Sequence, residues 1–136
     1  MVSFSPEYIN ESLYEFVTER HLGTLTLVRS DGRPHSTPIG FMWDKKAKVA
    51  KIITWSGSLK SKLLTEKELL GSITQVDGGR WVTFEGVCSV SEDQKICKDA
   101  VDQYALRYSP PKDRGSDRRV IIMNVSRILS SVSLAP

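Results

Sequence analysis

Two glycine turns, each set between alternating runs of β-forming residues, constrain this chain more than any other feature. Asp31-Gly32 follows Thr24–Arg29 and precedes a run that begins at Pro34; Asp77-Gly78-Gly79 stands between Leu70–Val76 and Arg80–Val90. An Asp-Gly pair favours the tight turn of a hairpin, and glycine adopts positive φ without a β-carbon clash. The runs on either side must therefore lie antiparallel. Arg80–Val90 is the longest and alternates, with Trp81, Thr83, Glu85 and Val87 on one side and Val82, Phe84, Gly86 and Cys88 on the other.

The rest of the chain extends this pattern. Pro34–Trp43 reads as the return strand of the first hairpin, Asp44-Lys45-Lys46-Ala47 as a polar turn and Val49–Trp55 as a third strand. Val120–Val125 and Ile128–Leu134 read as two more, about seven strands in all. Three helices are predicted. Ser5-Pro6-Glu7 supplies a cap, a first-turn proline and an acid, with Ile9, Leu13, Phe16 and Val17 on one face, ending near Arg20–Gly23. A short helix runs from Ser58 to Glu68. The longest opens at Ser91-Glu92-Asp93, carries Ile96, Ala100, Tyr104 and Tyr108 on one stripe, and stops at Pro110-Pro111. Lys112–Asp117 is a polar loop. These elements predict a mainly β, antiparallel fold over residues 1–136 as a single domain, a small barrel flanked by a few helices, since closure removes exposed edges.

Hydrophobic residues at 40% and charged residues at 26% argue against disorder, a fibre or a coiled coil. No apolar run approaches the ~20 residues of a membrane span, and Met1–Glu7 lacks the features of a signal peptide. Cys88 and Cys97 make no disulfide framework and suit a reducing cytoplasm. With His21 and His35 they show no close metal-ligand spacing, so no metal site is expected. The net charge of +3 is spread along the chain, densest at Lys112, Arg114, Arg118 and Arg119. It lacks the clustered basic and aromatic residues of a nucleic-acid binder and suits a phosphorylated cofactor or an acidic metabolite.

No G-x-S-x-G, H-E-x-x-H, Walker or G-x-G-x-x-G sequence is present, and no catalytic residue is assigned. His21 reads as a cation at the end of the first helix, and His35, by position alone, as an ordinary strand histidine. Ser56-Gly57-Ser58-Leu59-Lys60-Ser61-Lys62 joins a strand end to a helix start, where outward amides suit phosphate. The same residues also suit an ordinary capped helix with solvated lysines. In Gln75–Trp81, Arg80 suits an anion and Trp81 a planar ring, or the segment is simply a hairpin. Tyr104, Arg107 and Tyr108 read as helix packing and its solvated flank.

In combination these stretches are more specific. Glu19–Thr26, followed by Asp31-Gly32-Arg33-Pro34-His35-Ser36-Thr37-Pro38-Ile39-Gly40-Phe41 and the S-x-K helix, resembles the split β-barrel flavin-binding proteins related to pyridoxamine-phosphate oxidase. Gln75–Gly86, Tyr104–Tyr108 and Arg118–Ile122 are similar to the branch that uses the deazaflavin coenzyme F420, particularly its biliverdin reductases. The resemblance implies a homodimer with cofactor sites at its interface and a small-molecule substrate, without nucleic acid or membrane. It places His35, Ser36, Thr37, Pro38, Ile39, Thr54 and Trp55 beside the ring. It places Ser58, Lys60 and Ser61 at the phosphate. Gln75, Val76, Asp77, Gly78 and Arg80 would close the site from one subunit or the other. Lys51 and Arg80 are the candidates for cofactor or substrate anions. FMN is the alternative cofactor, in an oxidase or flavin reductase of the same fold; a carrier of flavin, deazaflavin or haem without turnover is a further alternative. Two features depart from the pattern: Trp55-Ser56 stands where relatives often have small residues, and the segment at Glu66-Lys67-Glu68 is one residue longer. The chain also stops before the C-terminal substrate segment of the longer pyridoxamine-phosphate oxidases, so that activity is not expected.

Overall fold

Antiparallel pairing between distant segments organises the chain, which a computed structural model describes from Met1 to Pro136. The strands are β1 (Val2–Phe4), β2 (Gly23–Val28), β3 (Pro34–Ile39), β4 (Met42–Asp44), β5 (Val49–Trp55), β6 (Leu69–Asp77), β7 (Arg80–Ser91) and β8 (Arg118–Ser130). The helices are α1 (Glu11–Phe16), α2 (Leu59–Glu66) and α3 (Gln94–Arg107). The strands form one sheet in the order β3-β2-β6-β7-β8-β5-β4, and β1 pairs with the C-terminal end of β8. The two end strands are consecutive in sequence yet not hydrogen-bonded to each other, so the barrel is split between β3 and β4.

Both glycine turns act as the sequence implies. The β6–β7 hairpin pairs Asp77 with Arg80 across Gly78, whose φ is +60°. The inward face of β7 buries Val82, Phe84 and Cys88 completely. They join Leu13, Phe16, Leu25, Leu27, Phe41, Ile52, Ile73, Ile121 and Ile128 in the main core, where each large side chain contributes roughly 1.5–3 kcal/mol by leaving water. A smaller cluster of Met42, Cys97, Ala100 and Val120 seats α3 on the sheet.

Four local expectations are corrected. Pro34–Trp43 is not one strand but two, broken at Gly40-Phe41. Tyr104 of α3 and Tyr108 just beyond its end pack there so closely that a β-carbon on Gly40 would fall 2.8 Å from Tyr108 and 2.9 Å from Tyr104. Val120–Val125 and Ile128–Leu134 are not two strands: β8 runs through Ser130, with a register shift opposite Glu85/Gly86, and Val132–Leu134 is a 3-10 turn. The first helix is shorter at both ends. Ser5 caps only the turn Pro6–Tyr8, and α1 begins after Asn10, whose side chain accepts from the Leu13 amide at 2.9 Å. Finally, β1 has too few residues for a periodic signal and forms by pairing with Ser130–Ile128.

Candidate functional site

The end of β5 and the start of α2 build one side of a cleft beside the split in the barrel. Ser58 caps α2: its Oγ accepts from the Ser61 amide at 3.2 Å and lies 2.7 Å from Thr54 Oγ1. Leu59 and Lys60 then carry amides at the helix start with no partner inside the helix. Lys60 is half-buried and belongs to no ion pair, and burial pushes its ammonium below the usual lysine range.

Pairing of β5 with β8 supplies the other side. Thr54 faces Arg119 and Trp55 faces Arg118 in the ladder, so the segment between α3 and β8 is drawn across the strand end. The cleft has a volume of about 360 Å³. Its apolar wall is Leu22, Pro38, Ile39, Ile53 and Tyr104, and its basic side is Lys60, Lys112, Arg114 and Arg118. None of these four cations pairs with a carboxylate. Arg118 is buried, donates to the carbonyls of Thr54 and Lys112 and so fixes the segment in place. Arg114 lies over the Trp55 indole at 4.6 Å from the ring centroid. Trp55 in turn rests on Gly57, where a β-carbon would come within 2.2 Å of the ring. The tryptophan that departs from the family pattern thus lies flat between a glycine and an arginine at the edge of the cleft. Across the segment 110–115 an adjoining hollow of about 410 Å³ opens, lined in part by Lys98 and Asp102, which pair with each other at 2.9 Å. It holds none of the sequence-predicted residues.

Of those residues, the structure brings Pro38, Ile39, Thr54, Trp55 and Lys60 together, with Ser58 hydrogen-bonded to Thr54. Ser61 is buried within α2. His35, Ser36 and Thr37 lie further along the edge strand β3, away from the cleft wall. Lys51 is tied to Asp44 at 3.4 Å on β4 and does not line the cleft. Gln75 is fully buried, donating to the Phe16 carbonyl at 2.9 Å, while Val76, Asp77 and Gly78 belong to an exposed hairpin end. Arg80 is bound by Glu19 at 2.7 and 3.0 Å and by Asp77 at 2.6 Å.

The expected role of His21 is also corrected. α1 ends at Phe16, and His21 instead lies 3.2 Å from Glu19 and 3.6 Å from Asp77. The potential ligand atoms of Glu19, His21 and Asp77 fall within 4.8 Å of one another, but the Arg80 guanidinium already neutralises both carboxylates. Arg107 is not a solvated flank. It is half-buried and donates to the carbonyls of Glu19, His21 and Phe41 and to Gln75 Oε1. Tyr108 Oη donates to the His21 carbonyl at 2.7 Å and accepts from the Phe41 amide at 3.2 Å. The two residues pin the chain just before Leu22 and just after Gly40 and so hold the apolar wall.

Sequence reasoning assigned no site role to Leu22, Ile53, Tyr104, Lys112, Arg114 or Arg118. The density of basic residues after Pro110-Pro111 was the available signal, but only the β5–β8 ladder carries it to Trp55.

Comparison with known proteins gives the following. A family model described as pyridoxamine 5'-phosphate oxidase matches residues 9–131. An F420H(2)-dependent biliverdin reductase from Mycobacterium tuberculosis (strain CDC 1551 / Oshkosh) is 38% identical over 127 residues, covering 93% of this chain and 90% of that protein. Among solved structures, an F420 reductase superposes with a TM-score of 0.70 at 18% identity, covering 89% of this chain and 98% of the other. A putative pyridoxamine 5'-phosphate oxidase from Lactobacillus delbrueckii superposes with a TM-score of 0.71 at 14% identity, covering 95% and 99%. At these identities the structural matches establish the shared split-barrel fold.

Proposed function

Because the chain belongs to the pyridoxamine 5'-phosphate oxidase family, we propose that it is an oxidoreductase that binds the deazaflavin coenzyme F420 in the cleft beside Lys60 and reduces a conjugated acceptor of the biliverdin type. The observation that carries this reading is the convergence of four cations without carboxylate partners on one cleft, beside a capped helix start and an apolar wall. That donor set fits a phosphorylated, acidic cofactor with a flat ring. The named activity of the 38%-identical relative agrees with it.

The bound cofactor supplies a hydride, and the protein supplies position and electrostatics. Lys60, with the Leu59 and Lys60 amides, holds the phosphate. Pro38, Ile39 and Ile53 exclude water from the ring. Lys112 and Arg114 favour negative charge at the cleft mouth. No side chain in the cleft is needed as a nucleophile.

In this reading the protein is one cytoplasmic domain, with both cysteines free and buried, and no helix is long and apolar enough to cross a membrane. It acts as a homodimer. On the outer face of β2, β6 and β7, Val28, Leu70 and Val87 are exposed, and Leu70 pairs with Val87 in register. Val76 is exposed at the hairpin end. Packing this face on a second copy covers those side chains, and the exposed hairpin end Val76–Gly79, with the β3 residues His35–Thr37, closes the cofactor site across the interface. Sedimentation is expected to report twice 15.3 kDa.

FMN is the second reading, since the helix start suits any flavin phosphate. The deciding experiment titrates the apo-protein with both cofactors, then mixes the reduced deazaflavin complex with biliverdin. Tighter deazaflavin binding and loss of biliverdin absorbance are expected. Tight FMN binding without deazaflavin binding would overturn the cofactor, and deazaflavin binding without biliverdin consumption would overturn the acceptor.

A further inference from the structure

Two half-buried arginines, Arg29 and Arg114, have neither a carboxylate nor a carbonyl partner, and of the two only Arg114 lies over an aromatic ring and lines the cleft. Arg80 is bound by two carboxylates. Arg107 is bound by three carbonyls and an amide oxygen. Arg119 reaches the Ser116 carbonyl and Glu92. The Arg114 guanidinium has neither a carboxylate nor a carbonyl; its one side-chain partner is the face of Trp55. Stacking holds a guanidinium plane in place while leaving its N–H edge free. That free edge matches a carboxylate in two parallel hydrogen bonds.

The support beneath this pair is built in. Gly57 leaves room for the indole to lie flat. Asp117 fixes the strand end from the far side, its carbonyl accepting from the Ser56 amide at 2.8 Å and its carboxylate from Ser56 Oγ at 3.2 Å. Arg118 ties Lys112 and Thr54 together. Two nearby acids are otherwise engaged: Asp117 by Ser56, and Asp113 by the Gly115 amide at 2.8 Å. Neither acid pairs with Arg114, so its N–H edge is unoccupied, and the two carboxylates are outnumbered by Lys60, Lys112, Arg114 and Arg118 on the side of the cleft opposite the apolar wall.

We propose that Arg114, carried on Trp55, is a specificity-determining residue that binds a carboxylate substituent of the acceptor, with Lys112 beside it. The acceptor class is then a planar conjugated molecule bearing carboxylates at its periphery. This rests on the reading of the cleft as a hydride-transfer site with Lys60 at the cofactor phosphate. The cofactor's acidic tail offers the same chemistry, so the test separates the two sources.

The experiment follows biliverdin and its dimethyl ester binding to wild type, Arg114→Gln and Arg114→Lys by quenching of tryptophan fluorescence, without cofactor. Deazaflavin binding is titrated separately, with Lys46→Ala as control. Arg114→Gln is expected to weaken biliverdin by tenfold or more and to leave the ester and the deazaflavin within twofold. Arg114→Lys is expected to fall between, because it keeps the charge and loses the fork. In turnover, KM for biliverdin rises while kcat holds. Equal loss for acid and ester, or no loss for either, overturns the assignment. Loss that appears only in deazaflavin binding gives Arg114 to the cofactor tail and overturns it as well. If ester-sensitive binding persists while reduced deazaflavin transfers nothing, the Arg114 assignment stands and the proposed reaction fails.

Discussion

Two charged clusters of similar size lie at opposite ends of the apolar wall, and their bookkeeping differs. Around Glu19, His21, Asp77 and Arg80 every charge has a partner at hydrogen-bond distance or close to it. Around Lys60, Lys112, Arg114 and Arg118 no carboxylate lines the cleft and none pairs with these cations. The first arrangement satisfies itself and contributes to the fold, joining the chain after α1 to the β6–β7 hairpin. The second keeps like charges close, which is unfavourable for the protein alone and favourable once an anion binds. Partner count, more than charge count, separates a structural cluster from a binding one.

Arg107 holds the wall between the two, donating to the carbonyls of Glu19, His21 and Phe41 and to Gln75 Oε1. Arg107→Ala leaves half-buried carbonyls at Glu19, His21 and Phe41 without their donor. We expect a loss of about 2–4 kcal/mol in chemical denaturation, the scale for stranding several groups bonded to a charge. Cofactor affinity should fall too, because Leu22 and Gly40 lose their anchor. An unchanged stability would mean that the wall holds itself without α3.

Lys60→Ala tests the unsatisfied cluster directly. Binding of the phosphorylated cofactor is expected to weaken by about 1–3 kcal/mol, the value of a charge-assisted bond, with little change in stability. Lys46→Ala, in the β4–β5 turn, is the control. Equal affinities for the two variants would make Lys60 an ordinary solvated lysine.

Parts of this comparison were legible in the sequence and parts were not, for a physical reason. The β6–β7 hairpin follows from Asp77-Gly78, and the α2 start from Ser58 and Lys60, because turns and caps are local chemistry. Trp55 and Lys60 were assigned to one site by the family resemblance, and the three-residue loop Ser56–Ser58 between β5 and α2 leaves them little room to separate. Arg114 and Trp55 are far apart in sequence and meet only through the β5–β8 register. The break at Gly40 is imposed by tyrosines at the end of α3 and just beyond it, which nothing near Gly40 announces. Arg80 and Lys51 were legible as cations but not as paired ones, because their carboxylates, Glu19 and Asp44, arrive by tertiary contact and by a strand turn respectively.

The satisfied cluster should show itself in acid. The hydrogen bond from Arg80, and then that from His21, hold the Glu19 carboxyl below its ordinary value of 4.5, against burial, which acts the other way. A carboxyl depressed in the folded state stabilises the fold above its unfolded pKa and loses that contribution as pH falls through the folded value. Melting temperature is therefore expected to fall below about pH 4.5, and Arg80→Gln should flatten that fall while lowering stability at neutral pH. An acid limb that is the same in both proteins would detach Glu19 from it.

The smallest effect separates the clusters by salt. Screening shortens the reach of exposed charges to a few ångströms near 1 M ionic strength. The cations of the cleft act on a ligand that arrives from solvent, so cofactor affinity should drop on the order of three- to tenfold between about 0.05 and 0.5 M salt. A long-tailed deazaflavin should lose more than FMN, because more of its charge lies in the exposed tail. Arg80 instead contacts Glu19 and Asp77 directly, at separations salt barely screens. Melting temperature over the same range should move by no more than about 2 °C. If FMN and the long-tailed cofactor weaken equally, the exposed tail meets no cation of the cleft, and the salt dependence belongs to the phosphate held at Lys60 alone.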